Sequence, residues 1–162
     1  MFRCLNDKKG FGMVEAIIAI ALALMFFSSI YGIIFFSNKT MHQGLMKIEA
    51  VQFAQEGMEI VRTIKSNNWT DDIATLTSGT TYYPVISGGK WILTTTPQAL
   101  INGVFTRTIT IYDVNRDVND DIADVGTDDP RTKRVVSAVS WVERGVTKNL
   151  FLETYITNFL SN

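Results

Sequence analysis

The side chain with the clearest chemical meaning in this sequence is an acid at the edge of a long apolar run. Glu15 precedes Ala16–Phe36 (AIIAIALALMFFSSIYGIIFF), in which no side chain is charged. A charged carboxylate costs about 2.5–3.5 kcal/mol at the centre of a membrane, and acids in such segments usually have a partner and a function. Glu15 could also mark only the interface, with its carboxylate among the lipid headgroups. Taken alone, the residue leaves both interpretations open.

A second group of potential ligands lies in an acidic segment of the C-terminal half. Oxygen-bearing side chains recur there at positions 1, 3, 5, 7, 9 and 12, the spacing of EF-hand calcium loops. Valine occupies the sixth position instead of glycine, the twelfth residue is not glutamate, and the flanks read as strand and loop. We expect no true EF-hand, while a calcium-clamped loop and a hydrated loop without metal both fit. The candidate ligands are Asp113, Asn115, Asp117, Asn119, Asp121 and Asp124.

Other residues offer little for catalysis. His42 is the single histidine and Cys4 the single cysteine, so acid–base, thiol and zinc chemistry are thinly supplied. The formal net charge is -1, and aspartates offset the one dense basic group, at 131–134. We therefore expect neither an enzyme nor a nucleic-acid-binding protein. We expect no cofactor apart from the calcium considered above.

The apolar run has the length of a membrane span. As a helix, Ala16–Phe36 rises about 31 Å at 1.5 Å per residue, which matches a hydrocarbon core of about 30 Å. The flank MFRCLNDKKG is positively charged and predicts a cytoplasmic N-terminus, with the rest of the chain outside. A cleaved secretory signal would have a shorter apolar core and a small-residue cleavage site. No convincing site follows Phe36, so we expect the apolar segment to be retained.

Residues 8–15 (KKGFGMVE), together with the apolar run, resemble the N-terminal signal of type IV prepilins and type II secretion pseudopilins. The resemblance implies that a prepilin peptidase cuts after Gly10 and that the new N-terminal residue, Phe11, is N-methylated. It also implies that Glu15, fifth in the mature chain, serves filament assembly. The sequence departs from the family at the second mature position, where Thr or Ser is usual, and at the fourth, where Ile is common.

The resemblance also implies how subunits meet. Cleavage leaves the apolar helix in the membrane and creates an α-amine at Phe11, which can neutralise the carboxylate of Glu15 in a neighbouring subunit. An unpaired charge in a low-dielectric filament core is heavily penalised, so the pair would set the axial register. The implied partners are other pilin subunits, the prepilin peptidase and an inner-membrane assembly platform. The expected location is the inner membrane, as a single-pass protein with its C-terminal part outside, and after assembly a periplasmic or extracellular filament.

Helical periodicity continues beyond the apolar run. Apolar residues recur at intervals of three or four, no proline interrupts residues 11–67, and Ser66-Asn67-Asn68 is a candidate stop. We therefore expect one long helix over 11–67 whose amphipathic half is covered by the downstream domain; a coiled coil is the alternative. The predicted apolar stripe comprises Met41, Leu45, Ile48, Val51, Ala54, Met58, Val61 and Ile64.

Downstream of the helix, the pattern changes to period two. Gly88-Gly89 and Arg144-Gly145 each separate two alternating runs, and each therefore predicts a β-hairpin. In another strand, Phe105, Ile109 and Ile111 share one face. The predicted strands are 82–87, 90–96, 105–112, 133–143 and 146–159.

These elements predict an α+β protein of pilin-like architecture, with a long N-terminal helix packed on a small antiparallel sheet. Its expected parts are a leader at 1–10, the helix at 11–67 with its membrane part at 16–36, and an extracytoplasmic β domain at 68–162. Residues 54–69 and the last hairpin (VSAVSWVERG, LFLETYITNF) are also similar to minor pilins of the type II secretion I-subunit kind. The expected function is a structural filament subunit, either a minor pilin or a pseudopilin. The alternative is a single-pass anchored binding domain that does not polymerise.

Overall fold

The computed structural model describes residues 12–159, in which one long helix precedes an antiparallel sheet. The predicted leader at 1–10 and the predicted mature terminus, Phe11, lie outside the described residues. The helices are α1 (Met13–Asn67) and α2 (Trp69–Asp72). The strands are β1 (Thr81–Ser87), β2 (Lys90–Thr94), β3 (Thr106–Arg116), β4 (Ile122–Ala123), β5 (Thr127–Glu143) and β6 (Val146–Thr157).

The chain divides into two compact units at Leu45 and Met46, within α1. In the described part of the first unit, every side chain from Gly12 to Asn38 is exposed, although most of them are apolar. By length and composition this helix could cross a membrane, and it is a candidate membrane anchor. Contiguous apolar surface of this kind normally contacts lipid or another protein.

In the second unit, the last turns of α1 pack on one face of the sheet. The predicted stripe is right for its C-terminal members, because Ala54, Met58, Val61 and Ile64 are buried. It is wrong for Met41, Leu45 and Ile48, which are between 51% and 57% exposed. Periodicity alone does not reveal at which residue the sheet begins to cover the helix. Further buried helix residues are Ala50, Gly57 and Ile60.

The core lies between this helical face and strands β3, β5 and β6. One cluster joins Val61 and Ile64 to Ile109, Val135 and other side chains of the sheet. A second cluster, which includes the aromatic pair Phe105 and Trp141, packs against the alanines of α1. Fully burying a side chain of this size contributes about 1.5–3 kcal/mol. The burial of Phe105, Ile109 and Ile111 confirms their predicted common face.

The strand order is β2-β1-β3-β5-β6, with β4 also paired to β3, and all pairs are antiparallel. Both predicted hairpins are confirmed. Gly88 and Gly89 have φ values of 58° and 76°, and Arg144 and Gly145 have values of 50° and 79°. Positive φ at both central residues is the requirement of the two-residue turn that matches strand twist.

A buried charge and a glycine fix the helix on the sheet. The Arg107 side chain, 8% exposed, lies 2.8 Å from the Glu56 carboxylate and donates at 3.4 Å to the carbonyl of Phe53. At Gly57, one helical turn after Phe53, an added β-carbon would overlap the hydroxyl oxygen of Ser137. The helix therefore lies close to the sheet at a residue that has no side chain.

The acidic segment differs from the loop that we expected. β3 continues to Arg116 and β5 begins at Thr127, so the two strands stay paired into this segment. A register shift between Asp113 and Asn115 interrupts the ladder, and Asn115 then pairs with Asp128. Strand propensity did not predict this pairing, because aspartate is generally a poor strand former. Alternation of apolar residues could not reveal it either.

Candidate functional sites

Glu15 lies in the first turn of α1, where it caps its own helix. The backbone N–H of Gly12 donates to Oε2 of Glu15 at 2.9 Å. The carbonyl of Gly12 in turn accepts from the N–H groups of Glu15 and Ala16, at 3.0 and 3.2 Å. This is the glutamate half of a capping box, and the negative charge also lies at the favourable end of the helix dipole. The carboxylate therefore points back towards the N-terminal side of its own chain. Gly10 and Phe11, the other predicted processing residues, lie outside the described part.

Two of the predicted calcium ligands, Asp113 and Asn115 of β3, contact other residues of the protein. The carboxylate of Asp113 forms an ion pair with Lys133, whose side chain is buried. The side-chain amide of Asn115 donates to the carbonyl of Asp124 at 3.3 Å. The side-chain oxygen of Asp113 is thus used for a buried ammonium group, and the Asn115–Asp124 contact closes the segment on itself.

A third predicted ligand, Asp117, holds a tight turn. Its Oδ1 accepts the backbone N–H groups of Asn119 at 2.8 Å and of Asp121 at 3.0 Å. The bond from Asp121 and then that from Asn119 lower the pKa of the Asp117 carboxyl, because both favour its charged form. Over residues 12–159, the structure brings together no group of three or more His, Cys, Asp or Glu side chains suited to a metal ion. A calcium-clamped loop therefore stays a prediction.

The sequence did not predict the group of oxygen acceptors that surrounds Arg116 in the same segment. Nε of Arg116 donates to Oδ2 of Asp129 at 2.7 Å, and a terminal nitrogen donates to the carbonyl of Asp120 at 2.7 Å. The hydrogen bond to Asp129 raises the pKa of Arg116. Partial burial pushes the pKa of Asp129 upwards, but the bonds from Arg116, Thr132 and the Arg131 backbone outweigh it and lower the pKa. One feature of the sequence could have indicated these contacts: Arg116 is the single basic residue between positions 113 and 130.

An open groove of about 490 Å³ runs beside the helix in the second unit. Its walls are polar and apolar side chains of α1 and β6, and two of its charged residues, Glu59 and Arg62, form an exposed ion pair with each other. Neither histidine, cysteine nor serine is among the lining residues, which are Gln55, Met58, Glu59, Arg62, Leu152, Glu153 and Thr154.

Comparisons with protein-family models, curated protein sequences and solved structures give no match to this chain. The function is therefore inferred from the chain's own residues. Two features of the chain bear on it most, namely the charged segment at 8–15 and the exposed apolar helix that follows.

Proposed function

We propose that this chain is a structural subunit of a type IV pilin-like filament, either a minor pilin or a pseudopilin of a type II secretion-like system. The observation that carries the proposal is the placement of Glu15. It stands five residues after Gly10, behind a basic leader, and directly before an uncharged span. The exposure of all the described side chains up to Asn38 supports the proposal, since such a helix needs lipid or neighbouring helices around it.

In this function the work is done by helix packing. A prepilin peptidase removes residues 1–10, and the α-amine of Phe11 becomes the new N-terminus. The apolar helix first holds the subunit in the inner membrane and then packs with the helices of other subunits at an assembly platform. The second unit, with its own core, forms the outer part of the filament.

The cap on Gly12 supports a specific role for the Glu15 carboxylate. A carboxylate has about four acceptor positions, so one bond from Gly12 leaves capacity for an incoming amine. The cap orients the acid before a neighbour arrives, and the α-amine of that neighbour then supplies the opposite charge. A subunit in the wrong axial register leaves the carboxylate and the α-amine without partners in apolar surroundings, which is strongly unfavourable.

The mature N-terminus tests the proposal directly. Mass spectrometry of the chain from membranes and from sheared filaments should find a protein that begins at N-methylated Phe11. An intact Met1, in a chain that stays monomeric in the bilayer, would contradict the filament and support the anchored binding domain instead.

Two substitutions separate the charge of Glu15 from its capping bond. Glu15→Gln keeps an oxygen acceptor for Gly12 but removes the charge, whereas Glu15→Ala removes both. We expect normal insertion and processing for each, and at least roughly tenfold less incorporation into filaments, since a hydrogen bond to a charged group contributes about 1.5–3 kcal/mol. Glu49→Gln, at an exposed position further along α1, is the matched control. Wild-type incorporation of Glu15→Gln would refute the charge pair.

A further inference from the structure

The acidic segment carries far more negative than positive charge. Between positions 113 and 129 the single basic residue is Arg116. Like charges at this density repel one another, so a folded segment needs positive or hydrogen-bond donor groups close to its carboxylates. The aspartates of the segment are Asp113, Asp117, Asp120, Asp121, Asp124, Asp128 and Asp129.

Arg116 occupies the middle of this segment in the sheet. It pairs with Ile122 of β4 on one side and with Thr127 of β5 on the other. The chain reverses direction once, through the turn at Asp117 between β3 and β4. It then crosses from one side of β3 to the other before β5, which runs in the same direction as β4. A side chain at Arg116 that contacts both the turn and β5 therefore joins the two ends of the segment.

The side chain of Arg116 makes these connections. Towards the turn, it donates to the carbonyl of Asp120 at 2.7 Å and lies 3.6 Å from the carboxylate of the same residue. Towards β5, it donates to Asp129 at 2.7 Å and to the hydroxyl of Thr132 at 3.4 Å. Carbonyl, carboxylate and hydroxyl oxygens from three residues thus surround one positive group. These are the ligand types that hard cations also use.

We propose that the guanidinium of Arg116 is the built-in cation of the acidic segment, so that the segment takes its folded form without a divalent metal. The planar guanidinium has five donors in a fixed arrangement and can satisfy several oxygens from different strands at once. Lysine would supply the charge but not this geometry. The ion pair of Asp113 with Lys133 and the turn at Asp117 then complete the segment without a further cation.

Hydrogen exchange followed by mass spectrometry tests this proposal on the full chain in detergent micelles. In the wild type, we expect the amides of 117–129 to exchange equally fast in excess EDTA and in millimolar calcium. In Arg116→Gln, we expect these amides to exchange at least roughly tenfold faster in EDTA, because charge-assisted hydrogen bonds are lost. Arg116→Lys should lie between the two.

Arg131→Gln is the matched control, because it removes the same charge from an exposed side chain near the segment. It should exchange like the wild type. Peptides from the central part of β5 report whether a variant has unfolded as a whole. If Arg116→Gln does unfold, the wild-type comparison in EDTA and calcium still decides the question. Slower exchange of the wild-type segment on adding calcium would overturn the proposal, and so would equal exchange in folded Arg116→Gln and Arg131→Gln.

Discussion

Gly57→Ala is expected to destabilise the second unit although alanine is the better helix former. The β-carbon would overlap the hydroxyl oxygen of Ser137 and lie 3.1 Å from both Cδ of Arg107 and Cδ1 of Ile109. Arg107 cannot easily move away, since its guanidinium is held by Glu56. Overpacking costs about 1–3 kcal/mol, and we expect the upper half of that range. Alanine regains about 1 kcal/mol of helix propensity, so the net loss is about 1–2 kcal/mol.

A second substitution isolates the cause. The hydroxyl of Ser137 is buried and has no hydrogen-bond partner within the described residues. Such a group costs about 1–3 kcal/mol in desolvation, so Ser137→Ala alone should be neutral or stabilising. In the double variant, the new methyl group of residue 57 meets no oxygen, and most of the loss should be recovered. The coupling between the two positions should reach about 1 kcal/mol.

Thermal unfolding in detergent, followed by tryptophan fluorescence, measures these effects, because all three tryptophans lie in the second unit. A loss of 1–2 kcal/mol lowers Tm by about 4–10 °C in a domain of this size. Gly44→Ala is the matched control, since its β-carbon would meet open space, and it should leave Tm unchanged or slightly raised. If Gly57→Ala also raised Tm, the close approach of helix and sheet at this residue would be refuted.

Two further predictions concern ion pairs of the second unit. Glu56→Gln should lower the free energy of unfolding by about 1–2 kcal/mol in urea titrations, because it leaves the buried Arg107 without its counter-charge. Glu59→Gln, in the exposed pair with Arg62, should change it by less than about 0.5 kcal/mol; equal effects would contradict the burial argument. Asp129→Asn should destabilise the chain by about 1–2 kcal/mol at neutral pH. Since the folded-state pKa of Asp129 lies below its ordinary value, its contribution is full above that ordinary value and is lost as the pH falls through the folded pKa. The free energies of unfolding of the wild type and of Asp129→Asn should therefore converge below about pH 4. A constant difference between them down to pH 2 would contradict this prediction.

Local patterns predicted the elements that depend on local chemistry. Gly88-Gly89 and Arg144-Gly145 each contain glycine, which adopts positive φ without strain, between two alternating runs, and both hairpins were predicted with their correct ends at the turn. The long helix was predicted to end at Asn67, and it does. The short elements α2 and β4 were missed, because four and two residues give no measurable period.

Features that depend on strand order were not predictable from these patterns. Leu152 and Ile156 share an apolar face in β6, but Ile156 is 5% exposed and Leu152 is 36% exposed, since β6 is an edge strand that the helix covers incompletely. The contact of Arg116 with Asp129 spans 13 residues and arises only because the pairing of β3 with β5 brings the two together. Sequence showed the lone arginine but not the partner that the register would give it.

The cost of Glu15 separates the two candidate functions on physical grounds. For a simple anchor, replacing the acid with glutamine lowers the cost of placing the segment in lipid and keeps an acceptor for Gly12, so nothing is lost. For a filament subunit, the same replacement removes the one negative charge that meets the α-amine of a neighbour. Glu15→Gln should therefore leave the anchor equal or better retained in membranes, but should leave the filament short of subunits. The presence of an acid at position 15 therefore favours the filament subunit, because the charge is a cost to an anchor and is needed for the contact between subunits.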